Sequence, residues 1–280
     1  MIIDAHQHFW KISRGDYTWM DDSVSAIHHN FLPSDLAKIT APLGVTGTIV
    51  VQAAPTLAET EFLLDLADAN ASIVGVVGWV DLMSDGAVEA MQRLSTHPFF
   101  KGIRPMLQDI EDTDWVLQPQ VIANLEAAAA LGLRMDALVT PRHLNALALV
   151  AERIPTLPIV IDHCAKPVIG QGQLTGEMWR EEMRRLSSFS NVFCKLSGLA
   201  NEYGQGWSAH TLQPVFEHVL NCFGAERLMW GSDWPVLNLA GDYVRWLSAA
   251  QTLAAALTPM ERDSLFSGTA CMFYGVESTR

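Results

Sequence analysis

The N-terminal segment Ile2-Ile3-Asp4-Ala5-His6-Gln7-His8 places two imidazoles two residues apart. In a strand, alternate side chains share a face, so Asp4, His6 and His8 are expected to point the same way. Two neutral imidazoles at one strand end can grip a single metal ion such as zinc. Asp4, one layer deeper, is then placed to orient a ligand. The plainer alternative is a solvated edge, but three polar residues on one face of an apolar segment call for a reason. Two more chemical groups end apolar runs. His163 closes Ile159-Val160-Ile161-Asp162-His163, and Asp233 closes Leu228-Met229-Trp230-Gly231-Ser232-Asp233. A carboxylate in that position can ligate a metal or take a proton from an attacking water, and its structural use is to cap the following turn. A histidine there is either a proton-transfer group or a hydrogen-bonded structural residue. Gly231 leaves room for a close approach of backbone or ligand.

Cations also interrupt apolar runs. Arg104, in Gly102-Ile103-Arg104-Pro105, needs an anionic or carbonyl partner if it is internal, either on a substrate or on a protein acid. Lys195, in Phe193-Cys194-Lys195-Leu196-Ser197, raises the same question, with a snorkelling side chain as the alternative. Gln52 and Trp79 end two further runs and are candidates to line a pocket, although Trp79 also reads as core.

Positioning these residues requires a repeated scaffold. Eight short apolar or β-branched runs, at 2–9, 46–53, 73–80, 102–107, 133–138, 159–164, 192–197 and 228–233, read as strands buried on both faces. Helical spacing fills the intervals at 57–70, 86–94, 118–131, 141–153, 178–189, 211–223, 242–257 and 259–273. Gly132 stops one helix, and Thr140-Pro141 opens the next. This alternation predicts a single (β/α)8 TIM barrel spanning residues 1–280 as one domain. The rival, an open doubly wound sheet, would bring a glycine-rich loop after its first strand, where this chain has His-Gln-His-Phe-Trp. The stretches 11–33, 198–210 and 235–242 read as loops after strands, gathered at the catalytic face.

The 280 residues are 49% hydrophobic and 18% charged, ample for a large core. A net charge of −13 argues against a nucleic-acid partner, but does not oppose an anionic substrate held by one buried Arg. Cys164, Cys194, Cys222 and Cys271 form no C-x-x-C pair and read as free thiols, three of them in apolar runs, which suits a reducing cytoplasm. No signal peptide or membrane span is expected, since Asp4, His6 and His8 interrupt the N-terminal apolar stretch. Homo-oligomerisation is compatible with the composition and stays open.

The ordered set His6-x-His8, His163 and Asp233 resembles the amidohydrolase superfamily. The stretches Ile3-Asp4-Ala5-His6-Gln7-His8-Phe9-Trp10, Phe31-Leu32-Pro33, Gly102-Ile103-Arg104, Asp162-His163-Cys164-Ala165-Lys166-Pro167, Lys195-Leu196-Ser197-Gly198-Leu199 and Met229-Trp230-Gly231-Ser232-Asp233-Trp234-Pro235 are similar to its branch of sugar-acid lactonases. The resemblance spans nearly the whole chain. It implies a (β/α)8 fold and hydrolysis of an aldonolactone such as L-fucono- or L-rhamnonolactone. In that reading Asp233 is the general base on water, and His6, His8 and Asp233 hold one divalent ion such as zinc. A metal, Arg104 or His163 stabilises the oxyanion, or His163 instead protonates the leaving oxygen. Gln52, Trp79 and Lys195 contact substrate, and Trp10 or Trp207 stacks on the sugar ring. The chain departs from the wider superfamily in having no histidine in its fifth strand, Leu133-Arg134-Met135-Asp136-Ala137-Leu138, and no clear bridging ligand. A two-metal site is therefore not expected, and the branch also includes members without tightly bound metal. Two other functions stay in view: decarboxylation or C–C hydrolysis of a small carboxylic acid on the same scaffold, and a non-catalytic barrel that binds a metabolite.

Overall fold

A computed structural model describes residues 1–169 and 176–277. Among them eight strands form one parallel sheet in chain order: β1 (Ile2–Gln7), β2 (Val45–Val51), β3 (Ile73–Gly78), β4 (Phe100–Ile103), β5 (Arg134–Ala137), β6 (Ile159–Ile161), β7 (Val192–Leu196) and β8 (Leu228–Trp230). The ring closes just past β8. Gln7 bridges Trp234 in parallel, the His8 amide donates to the Trp234 carbonyl at 2.8 Å, and the Asp233 amide donates to the His6 carbonyl at 2.8 Å. The chain is thus a (β/α)8 barrel, and its seam joins the two segments that carry His6, His8 and Asp233.

The alternation of the strands sorts their side chains into two layers. Ile3, Ala5, Ile49, Val51, Val77, Val160, Phe193 and Met229 pack inside the ring with Phe273 and Tyr274 of the last helix, Thr269–Tyr274. That helix closes the N-terminal mouth: the Phe273 carbonyl accepts from Arg134 Nε at 2.6 Å at the very start of β5. Val50, Val76, Met135, Ile161, Leu196 and Trp230 face outward into the helical layer. Burial on both faces explains the near-continuous apolar runs. With the N-terminal mouth plugged, polar groups can meet a ligand only at the C-terminal mouth.

The sequence and the structure differ in places. β6 ends at Ile161 rather than at 164, because His163, Cys164, Ala165 and Lys166 all take left-handed backbone with φ of 53°, 52°, 60° and 49°. β8 ends at Trp230, with Asp233 also left-handed at φ 58°. The stretch 198–210, expected as loop, contains a short helix, Leu199–Tyr203, and another helix, Pro33–Thr40, precedes β2. The final helix is broken into Pro259–Asp263, a π-turn at Ser264–Gly268 and Thr269–Tyr274.

Candidate active site

His6 and His8 leave β1 at the C-terminal mouth, and β6 and β8 deliver His163 and Asp233 to the same place. Asp233 Oδ1 lies 3.7 Å from His6 Nε2, 3.4 Å from His8 Nε2 and 3.8 Å from His163 Nε2. The Nε2 atoms of His6 and His8 are 3.2 Å apart. Three imidazoles and one carboxylate therefore converge on one point, all of them buried. Close approach of the backbones makes this possible. A Cβ on Gly231 would stand 2.7 Å from His6 Cβ, so only glycine lets the exit of β8 lie against β1. Gly198, at φ 68°, has the His163 ring where its Cβ would be, 2.6 Å from Nδ1.

Each ring is held from behind. His8 Nδ1 lies 2.7 Å from the Val51 carbonyl, which can only accept, so this nitrogen carries the proton and the Nε2 lone pair faces the site when the ring is neutral. His163 Nδ1 bonds Ser197 Oγ at 2.8 Å. His6 Nδ1 sits between Lys195 Nζ at 3.0 Å and Asp162 Oδ1 at 3.2 Å. Lys195 is fully buried beneath the site, with its Nζ 2.5 Å from Asp136 Oδ2 and 3.1 Å from Asp162 Oδ1. Tyr274 Oη donates to Asp136 Oδ2 at 2.8 Å from the plug helix. His6, Asp136 and Asp162 also have the spacing of a second metal site. The positive charge between these two carboxylates is supplied by the chain's own ammonium.

Burial pushes the His163 imidazole down to about 4, against the pull of the neighbouring Asp233 and Asp162 carboxylates. Burial alone would raise the Asp233 carboxyl, but His163, the hydrogen bond from His8 and the His6 ring outweigh it and hold Asp233 well below the usual carboxylate range. His6 is lowered well below its ordinary value by burial and then by the Lys195 charge. At neutral pH the site thus presents an ionised carboxylate among imidazoles, with His163 and His6 neutral.

The expected common orientation of Asp4 with His6 and His8 does not hold. The pairing of β1 with β2 shifts register between Asp4 and Gln7, which breaks the alternation. Asp4 instead accepts from the Ser232 amide at 2.8 Å and from Tyr243 Oη at 2.8 Å. It touches no imidazole ring; it accepts from the His6 amide at 3.2 Å and anchors the backbone one residue before Asp233.

His8, His163 and Asp233 border a pocket of about 250 Å³, whose walls include Arg104, Lys166, Met106, Trp19 and Leu138, and His6 lies behind them. Arg104 takes the protein-acid option, with Nη1 3.4 Å from Asp162 Oδ2 and Nη2 donating to the Gln52 carbonyl. It still lines the pocket, and its buried Nε has no partner among the described residues. Gln52 is buried and braces Arg104, donating from Nε2 to the Arg104 carbonyl at 2.9 Å. Trp79 lines a neighbouring cavity. Three expected contact residues lie elsewhere. Trp10 is fully buried behind His8, stacked at 6.4 Å, with its indole N–H donating to the His29 carbonyl. Trp207 is 1% exposed and lies under Arg245, donating to the Ala240 carbonyl. Lys195 is sealed among its carboxylates. Sequence reasoning missed Asp136, Asp162 and Ser197, which lock the rings, and Trp19, which closes one wall.

The Amidohydrolase family model matches residues 3–276. The chain is 46% identical over 279 residues to an L-fucono-1,5-lactonase of Burkholderia ambifaria, covering 98% of this chain and 96% of that one. It is 32% identical over 290 residues to an L-fucono-1,5-lactonase of Burkholderia multivorans, covering 98% and 96%. A Burkholderia multivorans amidohydrolase crystallised with bound zinc superposes with a TM-score of 0.92 at 32% identity, covering 99% of this chain and all of that one.

Proposed function

This chain belongs to the amidohydrolase family, and we propose that it is a lactonase that opens a sugar-acid 1,5-lactone of the L-fucono type to its hydroxy acid. The observation that carries this reading is the convergence of the Asp233 carboxylate with the Nε2 atoms of His6, His8 and His163 at a pocket walled by His8, His163 and Asp233. The named activity of the two Burkholderia lactonases supports it.

The donor set fits a single divalent ion such as zinc: three imidazole nitrogens lie 3.4–3.8 Å from one carboxylate oxygen, and the His6, His163 and Asp233 donor atoms all lie within 4.8 Å of one another. The zinc in the B. multivorans amidohydrolase points the same way. His6, His8 and Asp233, with His163 beside them, would hold it. When bound, such an ion supplies Lewis-acid polarisation of a carbonyl and lowers the pKa of a water.

The chain's own residues supply the rest. Asp233, ionised and buried, takes a proton from water as the water oxygen bonds to the lactone carbonyl carbon. The charge that develops on the carbonyl oxygen is met by the Arg104 guanidinium at the pocket wall, whose free Nε–H is already desolvated. The acyl–oxygen bond then breaks and the ring oxygen takes up the proton that Asp233 removed from the water, relayed through His163, whose Nε2 lies 3.8 Å from Asp233 Oδ1 and whose ring is braced by Ser197. The product is a hydroxy carboxylate and, at neutral pH, one released proton.

The test is a pH-indicator screen of aldono-1,5-lactones, aldono-1,4-lactones and small aromatic carboxylates, run with and without chelator alongside metal analysis. Turnover of 6-deoxy sugar lactones is expected. Turnover of carboxylates alone would replace this reading with decarboxylation.

A further inference from the structure

Beside the catalytic pocket lies a second cavity of about 400 Å³, formed by loops that follow β1, β2, β3 and β4. The two spaces share Trp19, Met106 and Asp109 as walls. The second cavity thus lies immediately past Met106 from the space over Asp233. At about 250 Å³ the catalytic pocket is at the small end of ligand sites, which run from about 300 Å³ upward. The neighbouring cavity more than doubles the space.

Its chemistry is specific. Trp19, Trp79 and Trp115 line it, and carboxylates of Asp81 and Asp109 stand exposed at its edge. The indole N–H groups of Trp10, Trp19, Trp179, Trp207 and Trp246 all donate to backbone carbonyls. No such acceptor is found for Trp79 or Trp115 among the described residues, and both rings are half-buried at the cavity. Flat indole faces pack on the C–H face of a pyranose ring, and free N–H donors and carboxylate acceptors match its hydroxyls. The lining has no Lys, Arg or His, which disfavours an anionic group. A purely apolar group would leave the donors and carboxylates unused.

Building on the lactonase reading, we infer that this cavity is a second carbohydrate subsite, which takes a neutral hexopyranosyl unit attached to the lactone. The substrate class is thereby extended to glycosylated aldonolactones.

The experiment compares three compounds on the wild-type enzyme: the best monosaccharide 1,5-lactone, the same lactone with a hexopyranosyl group at O3 or O4, and its benzyl ether at the same oxygen. At least one glycosylated lactone should show a kcat/KM about tenfold above the parent, chiefly through KM, the equivalent of about 1.4 kcal/mol. Trp115→Leu should abolish that gain and leave the parent lactone within about twofold, since the residue lies outside the catalytic pocket. Asp81→Asn, a milder change at the edge, should remove part of it with the melting temperature unchanged. Equal turnover of parent and glycosylated lactones overturns the subsite. So does an equal gain from the benzyl ether, or a Trp115→Leu loss shared by the parent. A wild-type enzyme inactive on every lactone, monosaccharide and glycosylated alike, overturns the lactonase reading, and this inference with it.

Discussion

Replacing Lys195 with Met is a sharp test of how the site is held together. The side chain is fully buried, and its Nζ lies 2.5 Å from Asp136 and 3.1 Å from Asp162, both also fully buried. Methionine preserves most of the volume, so the loss is of charge rather than packing. It leaves two carboxylates in the barrel interior with Tyr274, Arg104 and His6 Nδ1 as the nearby donors among the described residues. Removing one partner of a buried ion pair costs about 3–5 kcal/mol, because the remaining charge stays desolvated. In a chain of this size each kcal/mol moves the melting temperature by roughly 2–4 °C, so a fall of about 6–20 °C is expected by calorimetry. The double variant Lys195→Met/Asp136→Asn should recover part of it, with a coupling of about 1–3 kcal/mol in the cycle. A melting temperature within about 2 °C of wild type would refute the idea that this ammonium compensates the two acids. Additive single and double losses would show that Asp136 is not its partner.

Three further outcomes follow from the geometry. Asp233→Asn should lower kcat by about 10²–10⁴-fold in the lactone assay while the melting temperature holds, and near-normal turnover would remove Asp233 as the base. Gly198→Ala forces a Cβ to within 2.6 Å of His163 Nδ1 on left-handed backbone; it should cost at least about 1–2 kcal/mol in denaturant melts and depress kcat more than it raises KM. Burial raises the Glu59 carboxyl to about 7 from 4.5, although the Ala54 and Ala53 amides pull it down. Between pH 4.5 and 7 the folded chain therefore keeps a proton that the unfolded chain has released. Stability should decline as pH rises through that window, by up to about 3 kcal/mol. Glu59→Gln should flatten that part of the stability profile, and an unchanged profile would show the group ionised throughout.

The barrel was legible because β-strands covered on both faces read as apolar runs, and eight of them alternate with helices. His6, His8, His163 and Asp233 stood out as polar groups at the ends of such runs. Strand ends were harder to place. β6 and β8 stop early because left-handed backbone sets in at His163 and Asp233, a choice made by tertiary packing against Gly198 and β1 rather than by local preference. Asp4 was misdirected because a register shift breaks the two-residue period, and no residue type marks it. Asp136 could have been found: a buried Lys195 demands a buried acid, and Asp136 interrupts its own apolar strand. The tryptophans misled for a physical reason. An indole fills a core as well as it stacks on a sugar, and Trp10 and Trp207 do the former while Trp19 borders the pocket.

The four consecutive left-handed residues after β6 bear on how activity is lost. Each non-glycine residue in that conformation costs about 1–2 kcal/mol relative to ordinary backbone, so the segment holding His163 keeps its shape only while its surroundings insist on it. Warming loosens such a segment before the strands separate. Inactivation should then precede barrel melting, and proton exchange at the Lys166 amide, bonded to the His163 carbonyl at 2.9 Å, should report the same early opening.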